Sequence, residues 1–235
     1  MHTIITMVDQ RYFPYGGLLD TLCNVNHDNL RIYTPDPMFV YLNTPKDIGH
    51  NSIAAIDAEY WEVYGQSIKL MALSRTQGNA TYLDWDTYIN NDFTHVFDII
   101  DGLCVTTTNS TKPWATVNGG VIFSKNGHEL ASDLFDLVRG LHSPESDTLL
   151  QHFYDNIWDH LDAHRNKKGG VYHRQDLSWW CDQVALCACN TVGMCSRLPC
   201  CEYNKLNAHP DDKDQDFFIG HMKQRSGAPS EWKDG

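Results

Sequence analysis

Asp84 and Asp86 stand one residue apart at the end of a short apolar run, Ala80-Thr-Tyr-Leu83. That run reads as a short strand, and Ile68, Met71 and Leu73 upstream suit the buried face of a helix. A strand places alternate side chains on one face, so the two carboxylates can point the same way where the strand frays into a loop. Two such groups make a hard oxygen site suited to magnesium or manganese, with room left for phosphate oxygens. An acidic turn on a solvated loop carries the same letters. The pair therefore gains its meaning from the elements around it.

Two other clusters offer metal chemistry. Six of the eight cysteines fall between Cys181 and Cys201, but they contain no C-x-x-C pair, so the zinc-ribbon signature is missing. Buried free thiols are the first reading of this cluster, a structural zinc the second and disulfides the last. His160-Leu-Asp-Ala-His164 puts two imidazoles on one helical face. Leu161 replaces the glutamate that a zinc protease would place after the first histidine, and no third ligand is evident. A polar helix face is the better reading.

The chain of 235 residues can bury one sizeable core, and its 42% hydrophobic and 11% aromatic content is that of a globular protein. No apolar run approaches a membrane span, and the opening Met-His-Thr-Ile-Ile-Thr-Met-Val reads as a first strand instead of a leader. These features predict a soluble, cytoplasmic protein. The net charge of −12 and the lack of any basic cluster longer than Arg165-Asn-Lys-Lys168 argue against a large nucleic-acid footprint.

The elements that must position the acids alternate between strand and helix, the pattern of a mainly parallel sheet covered on both faces. Strands are expected at about residues 3–8, 31–33, 80–83, 103–107 and 117–124. Helices are expected from Gly16-Gly17, around Lys69, at 128–141 and at 182–190. Leu130, Leu134, Leu137, Val138 and Leu141 make 128–141 the clearest of these. Residues 142–178 are polar, His-rich and aromatic, and are read as an inserted helical lobe or lid within a single domain covering residues 1–235. The tail after Glu202 is polar with few strong signals.

Neither of the glycine-rich phosphate loops, G-x-G-x-x-G or G-x-x-x-x-G-K-[ST], follows the first strand. A nucleotide on this sheet must have its phosphates held another way, and a cation on Asp84 and Asp86 at the strand carboxyl ends is the obvious means. Here the chain resembles nucleotide-sugar glycosyltransferases of the GT-A type, in particular the retaining family that includes glycogenin and the lipopolysaccharide galactosyltransferases. Four motifs match in order. They are Met7-Val-Asp-Gln-Arg-Tyr12 followed by Gly16; Ile68-Lys69-Leu70 before Tyr82-Leu-Asp-Trp-Asp86; Val117-Asn-Gly-Gly-Val-Ile-Phe123; and Trp180-Cys-Asp-Gln-Val-Ala-Leu186.

The resemblance implies an α/β fold of the GT-A (Rossmann-like) type, with a mixed, mainly parallel sheet flanked by helices. It also implies a role for each matched residue. Asp9 and Tyr12 would hold the nucleotide base, Lys69 would contact the donor, and Asp84 would reach the ribose or the metal. Asp86 would ligate manganese or magnesium directly. Asn118 and Gly119 would flank the donor sugar, and Asp182 and Gln183 would orient its hydroxyls. Each position also has an ordinary structural reading: a packed turn for Asp9 and Tyr12, a surface lysine for Lys69, a strand bulge for Gly119-Gly120 and a helix cap for Asp182.

The family's closing motif, His-Phe-x-Gly-x-x-Lys, corresponds to Phe217-Phe-Ile-Gly-His-Met-Lys223. Phe217 has no lone pair to offer a cation, so the expected third ligand is His221, with water as the alternative; Lys223 would meet the diphosphate. The activity implied is metal-dependent transfer of a hexose from a UDP-sugar to a glycan or other hydroxyl acceptor, with retention, since no acid stands out as a dedicated general base. Two rivals come from other classes. One is a metal-dependent nucleotidyltransferase, which would use a nucleoside triphosphate, and the other is a catalytically silent binding protein on the same fold.

Overall fold

The computed structural model describes residues 2–15, 18, 29–46, 48–111, 115–141, 177–206, 208 and 216–222. Most of residues 16–28, all of 142–176 and Lys223 lie outside this set. The helix expected from Gly16-Gly17, the proposed lobe, the His160/His164 pair and the phosphate lysine therefore stay as sequence expectations.

Seven strands form the main sheet: β1 (His2–Met7), β2 (Leu30–Thr34), β3 (Ile53–Ala55), β4 (Asn79–Leu83), β6 (Gly102–Thr107), β7 (Val117–Lys125) and β8 (Ser196–Pro199). Their order is β3-β2-β1-β4-β7-β6-β8. β7 alone runs against its neighbours, pairing antiparallel with both β4 and β6. The alternation of side chains explains why both faces are covered. Ile5, Tyr82, Val105 and Ile122 enter one core, while Ile4, Leu83, Cys104 and Phe123 enter the other.

The first core is closed by three helices. α3 (Ile68–Ser74) is buried almost all round, at Ile68, Leu70, Met71 and Leu73 and also at Lys69. α5 (His128–Leu141) turns Ala131, Leu134, Phe135 and Val138 inward, as its periodicity predicts. α6 (Leu177–Thr191) packs Cys181, Val184, Ala185 and Leu186 into the same core. Shorter helices lie at α1 (Pro37–Asn43), α2 (Ala58–Tyr64), α4 (Val96–Ile99) and α7 (Cys200–Tyr203). α2 is capped by Asp57, which accepts from the Tyr60 N–H. It ends at Gly65, whose φ of 41° lets the chain turn at once into the segment that leads to Lys69.

Several regions differ from the sequence expectation, among them the short edge strands β3 and β8, which it did not include. α6 begins more than a turn before Asp182, because Leu-Ser-Trp-Trp contains no residue that stops a helix. Asp182 is thus an interior helical residue and not a cap. The polar tail also contains structure: β9 (Lys205–Leu206) and β10 (Ile219–His221) join β5 (Thr87–Ile89) in a second, three-stranded sheet. These strands are too short for an alternation to register, and their pairing spans more than a hundred residues.

Of the described cysteines, Cys104, Cys181, Cys187, Cys189, Cys195 and Cys200 are buried free thiols, whereas Cys201 is exposed. Burial pushes the Cys104 and Cys181 thiols up to about 12. Among the described residues no helix is long and apolar enough to cross a membrane.

Candidate active site

A cavity of about 600 Å³ opens at the carboxyl ends of the parallel strands, between the two sheets. β4 delivers Asp84 and, one turn residue later, Asp86. The turn is fixed by Thr87, whose N–H and hydroxyl both bond the Asp84 carbonyl, at 3.0 and 2.7 Å. β10 delivers His221 from the other side, and the Met222 N–H bonds the Asp86 carbonyl at 2.9 Å. The result is a three-residue cluster. His221 Nε2 lies 3.1 Å from Asp86 Oδ1 and 3.8 Å from Asp84 Oδ2.

These three residues offer ligand atoms all within 4.8 Å of one another, and they form the one such cluster found among the described residues. Ligands about 2.1 Å from a magnesium ion and at right angles to each other stand about 3 Å apart. The observed separations are of that order. Two carboxylates and one imidazole are a hard, oxygen-rich set that fits magnesium or manganese.

Gly120 makes the convergence possible. A Cβ there would lie 2.5 Å from His221 Cε1 and 2.8 Å from Asp84 Oδ2. Between Val105 and Thr106 the β6–β7 register breaks, so Gly119, Gly120 and Val121 fall outside the regular β6 ladder. The bulge expected as the ordinary reading of the glycine pair is present, and it is also what brings backbone to the cavity wall.

The opposite wall carries Lys69. Its ammonium lies 2.9 Å from Asp182 Oδ2, donates to the Gly119 carbonyl at 3.2 Å and lies 3.6 Å from Asp84 Oδ1. It also sits 4.9 Å from the centre of the Tyr82 ring. Lys69 and Asp182 are each buried, at 3% and 4% side-chain exposure. Burial alone would depress the lysine, but the charges of Asp182 and Asp84 outweigh it and hold the ammonium above its ordinary value. Burial likewise acts to raise Asp84, and Lys69, His221 and the 2.7 Å hydrogen bond from the Tyr82 hydroxyl bring it below the usual carboxylate range. Asp84 is therefore held as an anion.

Asp182 has one oxygen to spare. Oδ2 takes Lys69, while Oδ1 is buried without a hydrogen-bond partner. Gln183 clamps the β7 mouth, accepting from the Gly119 N–H at 3.3 Å and donating to the Val117 carbonyl at 2.5 Å. Asn118 Oδ1 accepts from the Gly120 N–H at 2.9 Å.

The structure thus brings together Lys69, Asp84, Asp86, Asn118, Gly119, Asp182, Gln183 and His221 on one cavity. Asp9 and Tyr12 are not among the residues that line it. Asp9 accepts from the Tyr12 N–H at 2.9 Å and pairs with Arg11 at 2.8 Å, so it orders its own turn. Sequence reasoning missed Tyr82, which carries an obvious signal as a tyrosine two residues before Asp84. It also missed Gln66, Thr108, Ser110 and Leu206 on the cavity wall, where no local pattern marks them.

The whole architecture is similar to that of a solved structure, the apo-form glycosyltransferase GlyE of Streptococcus pneumoniae TIGR4. The TM-score is 0.52 at 14% identity, over 95% of this chain and 54% of the other. The fold is that of a glycosyltransferase. The chain spans about half the length of that neighbour. No protein-family model matches the sequence, and no curated protein matches it significantly.

Proposed function

We propose that this protein is a metal-dependent glycosyltransferase that moves a hexose from a UDP-sugar to an acceptor hydroxyl, with retention at the anomeric carbon. One observation carries the reading. On a glycosyltransferase fold, Asp84, Asp86 and His221 form a cation-sized cluster on the same cavity as the buried Lys69–Asp182 pair.

The three clustered side chains would hold manganese or magnesium, and the bound cation supplies electrostatic stabilisation of the leaving diphosphate. The rest is the work of the chain. Lys69 holds Asp182 in place at the cavity wall, where its carboxylate would accept from a sugar hydroxyl. Asn118 commits its Oδ1 to Gly120 and keeps its amide nitrogen as a donor to the sugar. Gly119 and Gly120 keep the wall low enough for the ring to approach. Lys223, two residues after His221, would meet the diphosphate, and Tyr12 would stack on the base.

Retention is favoured by charge. Among the described residues, the carboxylates on the cavity are Asp84, Asp86 and Asp182. Two belong to the cation cluster and the third is paired with Lys69, which leaves none of the three as a free general base. A glycan is the default acceptor. The reading is tested by thermal shift with UDP-sugars against nucleoside triphosphates, each with manganese. Stabilisation by a UDP-sugar supports it, and stabilisation by triphosphates alone would assign the chain to nucleotidyl transfer.

A further inference from the structure

A chain of buried hydrogen bonds runs from the Nδ1 side of His221 to the Asn118 carbonyl. The Thr106 hydroxyl lies 3.0 Å from the Asn118 carbonyl, the Asn204 amide nitrogen lies 3.1 Å from Thr106 Oγ1, and Asn204 Oδ1 lies 3.0 Å from His221 Nδ1. Thr106 and Asn204 are fully buried and His221 is 5% exposed. The chain links β7, β6, the end of α7 and β10, and so ties the main sheet to the small one.

The direction of every bond follows from its first member. A backbone carbonyl has no hydrogen, so the Thr106 O–H must donate to Asn118. Thr106 Oγ1 must then accept from Asn204, which requires the amide NH₂ on that side. The Asn204 oxygen is left facing His221 Nδ1 and can only accept, so Nδ1 carries a hydrogen. The other ring nitrogen, Nε2, is the one beside Asp84 and Asp86.

We propose that Thr106 and Asn204 are positioning residues that set the His221 tautomer, keeping the hydrogen on Nδ1 and the Nε2 lone pair for the cation. The inference rests on the metal reading of the Asp84–Asp86–His221 cluster. Its necessity is electrostatic. Two carboxylates beside Nε2 draw a hydrogen toward that atom, and a neutral ring with its hydrogen there would turn a donor toward the cation. Only an acceptor fixed on Nδ1 opposes this, and an asparagine is a fixed acceptor only while something else fixes its amide. Thr106 does so.

Two readouts test it, neither of them activity. Long-range ¹H–¹⁵N spectra of the metal-free protein, at a pH where the ring is neutral, report which nitrogen of His221 is protonated. Electron paramagnetic resonance of free manganese reports cation affinity. Wild type and Thr106→Ser should show the Nδ1–H form and similar affinities. Thr106→Val, which keeps the shape but frees the amide to turn, should shift the hydrogen to Nε2 and weaken manganese binding about tenfold. The wild-type spectrum needs no variant, and a neutral His221 protonated on Nε2 overturns the inference outright. Thr106→Val with wild-type tautomer and affinity overturns the relay alone. A wild-type protein with the Nδ1–H form but no manganese binding overturns the metal reading beneath it.

Discussion

Gly120→Ala is the most exacting perturbation of this site, because it adds one methyl group and no charge. The new Cβ would lie 2.5 Å from His221 Cε1, 0.9 Å short of the 3.4 Å at which ordinary contact begins, and 2.8 Å from both Asp84 Oδ2 and His221 Nδ1. Neither neighbour can withdraw freely. His221 is backed by Asn204 at 3.0 Å, and Asp84 is held by Tyr82 at 2.7 Å. The strain must spread into β7 itself, whose Gly120 carbonyl bonds the Asp84 N–H at 2.8 Å. Overpacking of this kind costs about 1–3 kcal/mol of stability, and a misplacement of about 1 Å at a reacting centre costs on the order of a hundredfold in rate. Manganese titration, urea unfolding and donor hydrolysis should therefore show a folded protein, destabilised within that range, with cation affinity and turnover both strongly reduced. Gly119→Ala is the control. Its Cβ would meet Asp182 Oδ2 and Leu186 Cδ1 at 3.2 Å, only 0.2 Å short, so manganese affinity should stay within about threefold. A Gly120→Ala protein that binds manganese like wild type would refute the geometric argument.

Three further outcomes are expected. Lys69→Met keeps the stem but leaves Asp182 buried without its cation, so urea unfolding should show a loss of about 3–5 kcal/mol, partly recovered in Lys69→Met/Asp182→Leu; a loss under about 1 kcal/mol would mean the pair stabilises nothing. Stability should fall as pH rises from 9 toward 12, because Cys104 and Cys181 ionise at about 9 when unfolded and about 12 when folded, so the unfolded chain binds fewer protons in that window. Each thiol contributes a slope of about 1.4 kcal/mol per pH unit there, and Cys104→Val should remove one share of it in urea unfolding series between pH 8 and 11. Asp182→Asn should leave manganese affinity near wild type while lowering transfer by about tenfold or more, since Asp182 is read as facing the sugar and not the cation; an equal loss of both would merge the two halves of the site.

Five of the seven main-sheet strands, β1, β2, β4, β6 and β7, were legible from their apolar runs, and β4 ends in the acids themselves; the edge strands β3 and β8, three and four residues long, were not. α5 matched its expected bounds for the same reason: a strong apolar stripe over four turns. Asp84, Asp86 and Lys69 were legible because each sits inside or beside such an element. His221 was legible only through the closing motif, since β10 is three residues long and gains its place by pairing with β5. Thr106 and Asn204 had no signal at all. Their role exists only where β6, α7 and β10 meet, and no local spacing encodes that meeting. Asp9 also orders its own turn, accepting from the Tyr12 N–H and pairing with Arg11.

The central claim is that Asp84, Asp86 and His221 hold a cation that makes a sugar nucleotide reactive. The direct test is release of UDP from a panel of UDP-sugars, with and without manganese, by wild type and by Asp86→Asn. Asp86 is on an open loop, so the variant should fold normally, and loss of about 3 kcal/mol of transition-state stabilisation should lower turnover on the order of a hundredfold. Manganese-dependent UDP release by wild type that is lost in the variant is the predicted result. Manganese-independent release, or equal release by Asp86→Asn, would contradict the account.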